Sequence, residues 1–118
     1  MSEYVLLYRS TNEAHHAAMG TPAASEKSMA KWRAWIADMS AKGQLKNVGL
    51  PLVREGNVVI GPRKTVTDGP YTETKEVVGG FSLIEARDLA HAVQIASGCP
   101  VLEGGGSVEV RPVLQLNV

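Results

Sequence analysis

The chain has 118 residues, of which 44% are hydrophobic and 20% charged. It therefore fits a single domain, 1–118, whose core hides roughly two-thirds of the unfolded surface, and neither disorder nor a membrane span is suggested. Twelve basic residues balance twelve acidic ones, with no single-sign run, which argues against nucleic acid or an anionic membrane as a partner.

The elements follow in chain order. Tyr4-Val5-Leu6-Leu7-Tyr8 is a short continuous apolar run, the pattern of a buried strand. Met1-Ser2-Glu3 lacks the basic region of a secretory signal and the apolar run behind it is short, so a cytoplasmic protein is expected. Residues 9–24 read as a polar, Ala/Gly-rich connection carrying His15 and His16. A helix is expected from Ser25, a good N-cap residue. Its apolar positions Met29, Trp32, Ile36 and Met39 follow the spacing of one helical face, and Gly43 ends it as a left-handed cap. Trp32 is assigned to the core stripe and Trp35 to a pocket or a subunit contact.

Residues 45–53 read as a second strand that Pro51 turns into an edge or a bend. Val58-Val59-Ile60 and Lys64-Thr65-Val66 form an accessory hairpin with Gly61-Pro62 at its tip. Residues 76–85 make a third strand. Asp88 caps a second helix whose apolar face is Leu89, Ala92, Val93 and Ala96, with His91 on its solvent side. Cys99, the only cysteine, permits neither an intrachain disulfide nor a cysteine metal cluster, and reads as a small buried hydrophobe at the helix end. Gly104-Gly105-Gly106 links to a last strand, Ser107-Val108-Glu109-Val110-Arg111-Pro112-Val113. The order is βαββαβ, the ferredoxin-like split unit of an α+β fold.

In the third strand Val77, Gly79, Phe81 and Leu83 alternate with Val78, Gly80, Ser82 and Ile84, and both sets are apolar or small. Two helices cover only one face of such a sheet, so the other calls for a second copy of the chain.

The segment before that strand carries the chemistry. In Thr67-Asp68-Gly69-Pro70-Tyr71 the usual Asx-turn bond from Asp68 is blocked, because the residue two ahead is Pro70 and has no N–H. Two roles stay open to Asp68: a structural turn satisfied from elsewhere, or a carboxylate free for acid–base work. Tyr71 offers a stacking face and a hydroxyl for a small aromatic or carbonyl compound.

The run from Asp68-Gly69-Pro70-Tyr71 through Thr72-Glu73-Thr74-Lys75-Glu76 into Val77-Val78-Gly79-Gly80-Phe81 resembles the YCII-related family in its DGPF-motif branch, as do the opening and closing strands. The resemblance implies a dimeric α+β barrel and hence a homodimer. It also implies acid–base use of a His–Asp pair, with the histidine near the start of the first helix. No histidine stands at Ser25-Glu26-Lys27-Ser28-Met29, so His15 and His16 are the nearest candidates.

The expected catalytic pair is Asp68 with His16, with Thr67, Gly69, Pro70 and Tyr71 holding a small-molecule ligand. The three histidines lack metal-binding spacing, and no metal or cofactor site is expected. The reading is a small-molecule-binding homodimer with acid–base, lyase- or isomerase-like activity. The alternative is a non-catalytic metabolite-sensing or protein-interaction module associated with transcriptional regulation.

Overall fold

A computed structural model of the chain describes residues 1–69 and 76–116. Strand β1, Ser2–Ser10, leads into helix α1, Asn12–Met19, and helix α2, Pro22–Ala41. Strands β2 (Leu45–Asn47), β3 (Gly56–Ile60), β4 (Thr65–Gly69) and β5 (Val77–Ala86) follow, then helix α3, Leu89–Ala96. A short 3₁₀ helix, Pro100–Gly104, precedes β6, Ser107–Pro112. The four-stranded sheet has the order β2-β5-β1-β6, and β3 pairs with β4 in a separate two-stranded sheet. Neighbours in the main sheet run antiparallel. This is the ferredoxin-like α+β arrangement with an accessory hairpin.

The core lies between one sheet face and helices α2 and α3. Tyr4, Leu6 and Tyr8 of β1 alternate inward and meet Ile84 and Ala86 of β5, Trp35 and Met39 of α2, and Ala92, Ile95 and Ala96 of α3. Leu6, Met39 and Ile84 are the largest fully buried side chains, which makes them the most costly to truncate. Trp35 is the buried tryptophan and Trp32 the half-buried one packed against it, which reverses the expected assignment. Tyr8 explains the reversal: its ring stands edge-on to both indoles, at centroid distances of 4.8 and 5.9 Å. The three rings share one cluster, and Trp35 reaches deeper, against Gly98.

Residues 9–24 are not one connection. Thr11 caps α1 by accepting from Ala14 N, and Thr21 caps α2 by accepting from Ala24 N. The second helix therefore starts at Pro22, with proline in the first turn, and not at Ser25. The expected strand at 45–53 stops after three residues. Gly49 adopts a left-handed φ of 72°, where the Phe81 backbone leaves no room for a Cβ. The strip nonetheless stays beside β5: Leu52 N donates to Gly79 O, and Phe81 N donates to Leu50 O.

A bulge corrects the expected alternation of β5. Tyr8 pairs with Gly80 but Arg9 pairs with Val78, so Gly79 has no partner on β1. Below Gly79 the faces exchange: Val78 joins Arg9, while Val77 joins Ser10.

The other sheet face carries Val5, Leu7, Phe81 and Leu83, and among the described residues the helices α2 and α3 pack on the opposite face. Phe81 is 37% exposed. Ion pairs rim this face, Arg9 and Arg111 with Glu109 on one side and Lys46 with Glu3 and Glu85 on the other. Among the described residues the buried Nε of Arg9 has no acceptor.

Candidate functional site

A polar corner forms where β1 runs out into α1. Arg54, on the segment leading to β3, reaches back to it with three hydrogen bonds. Nε donates to Asn12 Oδ1 at 3.0 Å, Nη1 to Ser10 Oγ at 3.2 Å and Nη2 to the Ser10 carbonyl at 2.7 Å. The guanidinium is thus held at three points by neutral acceptors. No carboxylate of the described residues lies within ion-pair distance of it.

The bulge at Gly79 faces the same group. A Cβ there would sit 3.5 Å from Arg54 Nη1, so glycine keeps the guanidinium free of a covering side chain. Bulges recur beside binding sites because they re-aim the chain locally. His15, on α1, feels this corner: burial first, then the charges of Arg54 and His16, lower its pKa from the ordinary 6.5. Its imidazole is accordingly held toward the neutral, proton-accepting form. Burial likewise lowers the pKa of Arg54.

Asp68 lies elsewhere. It stands within β4, opposite Asn57, and is exposed, so its backbone is strand and not turn. Asn57 is three residues beyond Arg54, about 10 Å of extended chain, with Asp68 about 5 Å across the pair. Among the described residues the carboxylate bonds to neither His15 nor His16. His16 is exposed on α1, where its carbonyl accepts from Gly20 N. Thr67 is exposed, and its carbonyl accepts from Asn57 Nδ2. Gly69 closes the hairpin base: a Cβ would meet Val58 Cγ2 at 2.8 Å, which gives this glycine a packing reason. Pro70 and Tyr71 lie outside the described residues.

The sequence reading missed Arg54, Ser10 and Asn12. Arg54 sits between Pro51 and Gly56 without a motif, and nothing local indicates that it folds back to the end of β1. Gly79-Gly80 was the available signal, as glycines within a strand that permit close approach.

The remaining chemistry-bearing groups are structural. Cys99 is buried, which pushes its thiol up to about 12. Tyr8 donates to Ser82 Oγ at 2.7 Å, and Ser82 donates to the Val48 carbonyl at 2.7 Å. His91 Nδ1 accepts from Arg87 N beside the Asp88 cap. Among the described residues no group of three or more His, Cys, Asp or Glu side chains could hold a metal ion, and no helix is long and apolar enough to cross a membrane.

The YCII-related domain model matches residues 2–117. The chain belongs to the YCII-related family. No curated protein matches it. Within this YCII-related protein, the family match covers the sheet, the helices and the polar corner alike.

Proposed function

We propose that this protein is a cytoplasmic, small-molecule-binding homodimer of the DGPF branch, with acid–base chemistry drawn from Asp68 and a histidine of α1. The observation that carries the reading is the Ser10–Asn12–Arg54 corner: a fixed cation with two N–H donors unused among the described residues, beside a histidine held toward its neutral form. Neutral imidazole suits proton abstraction, and a nearby cation stabilises the negative charge that abstraction leaves behind. Asp68 enters from the hairpin, whose base is joined to the corner through Glu55 and Gly56. In this scheme His15 or His16 takes the proton and Asp68 orients the imidazole or returns the proton to product.

Dimerisation is supported by the sheet face of Val5, Leu7, Phe81 and Leu83. That face is apolar at its centre and charged at its rim, the anatomy of a face that buries against its own copy.

The exposed carboxylate of Asp68 favours a second reading, a module that binds the same ligand without transforming it. Ligand-observed NMR in D₂O against a broad library of small carbonyl compounds separates the two. Acid–base chemistry predicts bound molecules whose C–H next to the carbonyl exchanges for deuterium. Asp68→Asn and His16→Gln, with His15→Gln beside them, then abolish exchange while binding persists. Binding without exchange in the wild type selects the sensing module, and no bound molecule at all contradicts both readings.

A further inference from the structure

The charge pattern of the corner indicates which ligands it takes, an inference that rests on the corner being the ligand site proposed above. A guanidinium has five N–H donors. Three of Arg54's go to Asn12 Oδ1, Ser10 Oγ and the Ser10 carbonyl, which leaves two. The acceptors are all neutral, so the positive charge is oriented but not neutralised by any described residue.

Three further features act in the same direction. Arg54 is half-buried, where an unpaired charge costs more than in water. The amino-terminal end of α1, at Asn12, adds a positive partial charge on the same side. Gly79 places no side chain over Nη1, where a Cβ would sit at 3.5 Å.

We propose that Arg54 binds the carboxylate of a small organic monoanion, with His15 as its neighbouring polar contact. The class follows from the donors. One full positive charge and two remaining N–H groups, one on Nη1 and one on Nη2, suit a monoanion such as a carboxylate held by a charge-assisted hydrogen bond. A phosphate dianion calls for more charge than the corner supplies. Because Arg54 is already held by Ser10 and Asn12, little side-chain freedom is lost when the anion arrives.

Calorimetric titration at low, constant ionic strength tests this with acetate, benzoate and salicylate, each paired with its amide, and with inorganic phosphate. The expected result is saturable binding of at least one carboxylate, at least about tenfold tighter than its amide, as loss of a charge-assisted bond implies. Arg54→Lys weakens it by about tenfold or more, because the point charge stays but the three-point hold on Ser10 and Asn12 that orients it is lost. Arg54→Met abolishes it, with circular dichroism confirming the fold. Should that variant unfold, Gly79→Val covers Nη1 without removing the charge, and binding is again lost.

An amide that binds as tightly as its acid overturns the anion class while leaving a ligand pocket in place. Tighter phosphate than carboxylate binding overturns the monoanion assignment. Carboxylate binding unchanged in both Arg54→Met and Gly79→Val overturns the location. No binding by any member of the panel overturns the inference, and the NMR library then shows separately whether other ligands keep the functional reading alive.

Discussion

Replacing Ser82 by alanine breaks a two-bond relay at its centre, and its cost differs from that of removing either end. Tyr8 donates to Ser82 Oγ and Ser82 donates to the Val48 carbonyl, both at 2.7 Å. Tyr8 and Ser82 are 8% and 3% exposed, and burial raises the pKa of the Tyr8 hydroxyl. In Tyr8→Phe the serine keeps its acceptor at Val48 and nothing charged or polar is orphaned. The loss is one buried hydrogen bond, about 1 kcal/mol. In Ser82→Ala the Tyr8 O–H is left buried without an acceptor and the tie to Val48 goes as well, which costs about 2–4 kcal/mol. At about 4 °C per kcal/mol for a chain of this length, Tyr8→Phe lowers Tm by about 4 °C and Ser82→Ala by about 8–16 °C. The double variant loses less than the two singles together, because no tyrosine hydroxyl remains to be orphaned. Thermal unfolding at one fixed protein concentration measures all four members of the cycle. Equal losses in the two singles, or strict additivity, would refute the relay.

In the proposed homodimer, a lysine at Phe81 places a charge in the centre of the open sheet face. Analytical ultracentrifugation should then show the dimer dissociation constant raised by about 100-fold or more. An unchanged sedimentation profile would mean that this face is not the subunit contact. The imidazole of His15 should titrate below 6.5 in a proton NMR titration, and the midpoint should rise in Arg54→Met, because Arg54 is one of the causes of the depression. Its folded pKa lies below the unfolded one, so the unfolded chain binds more protons between the two values. Stability should therefore fall as pH drops through that window, and His15→Gln should remove this part of the fall. Cys99, with its thiol pushed up to about 12, should resist iodoacetamide at pH 8 in the native protein and react on unfolding. Ready native alkylation would show that the core opens near the end of α3.

Strand β1 and the presence of the two core helices were legible because periodicity records burial, but the helix faces were legible only in part. Helix α3 buries Ala92, Ile95 and Ala96 while Leu89 and Val93 are about half exposed, and Met29 of α2 is 40% exposed. Tyr4, Leu6 and Tyr8 face the core in the structure, and Asp88 caps α3 as its residue type suggests. Helix α1 was not legible: Asn12–Met19 buries none of its residues, so it carries no apolar stripe for a period to reveal. The Thr11 cap and the run of alanines were the signals that remained. The depth of Trp35 over Trp32 depends on Tyr8 and Gly98, which are distant in sequence. The change of face along β5 depends on a single unpaired glycine, which alternation alone cannot show.

The candidate site divides the same way. Asp68 stood out because Pro70 denies it the ordinary turn bond, yet the structure places it on a strand of the hairpin. Arg54 had no local signature, since its role comes from folding back over a long stretch of chain to Ser10 and Asn12. His15 became distinct from His16 only in the folded chain, through its burial first and then the charge of that guanidinium.

The most direct measurement is a crystal structure of the protein soaked with the acetate, benzoate and salicylate panel. The account predicts two copies packed sheet against sheet through Phe81 and Leu7, with a carboxylate on the free N–H groups of Arg54 beside His15. An acidic side chain of the protein itself seated on Arg54, with no added molecule at the corner, would contradict it.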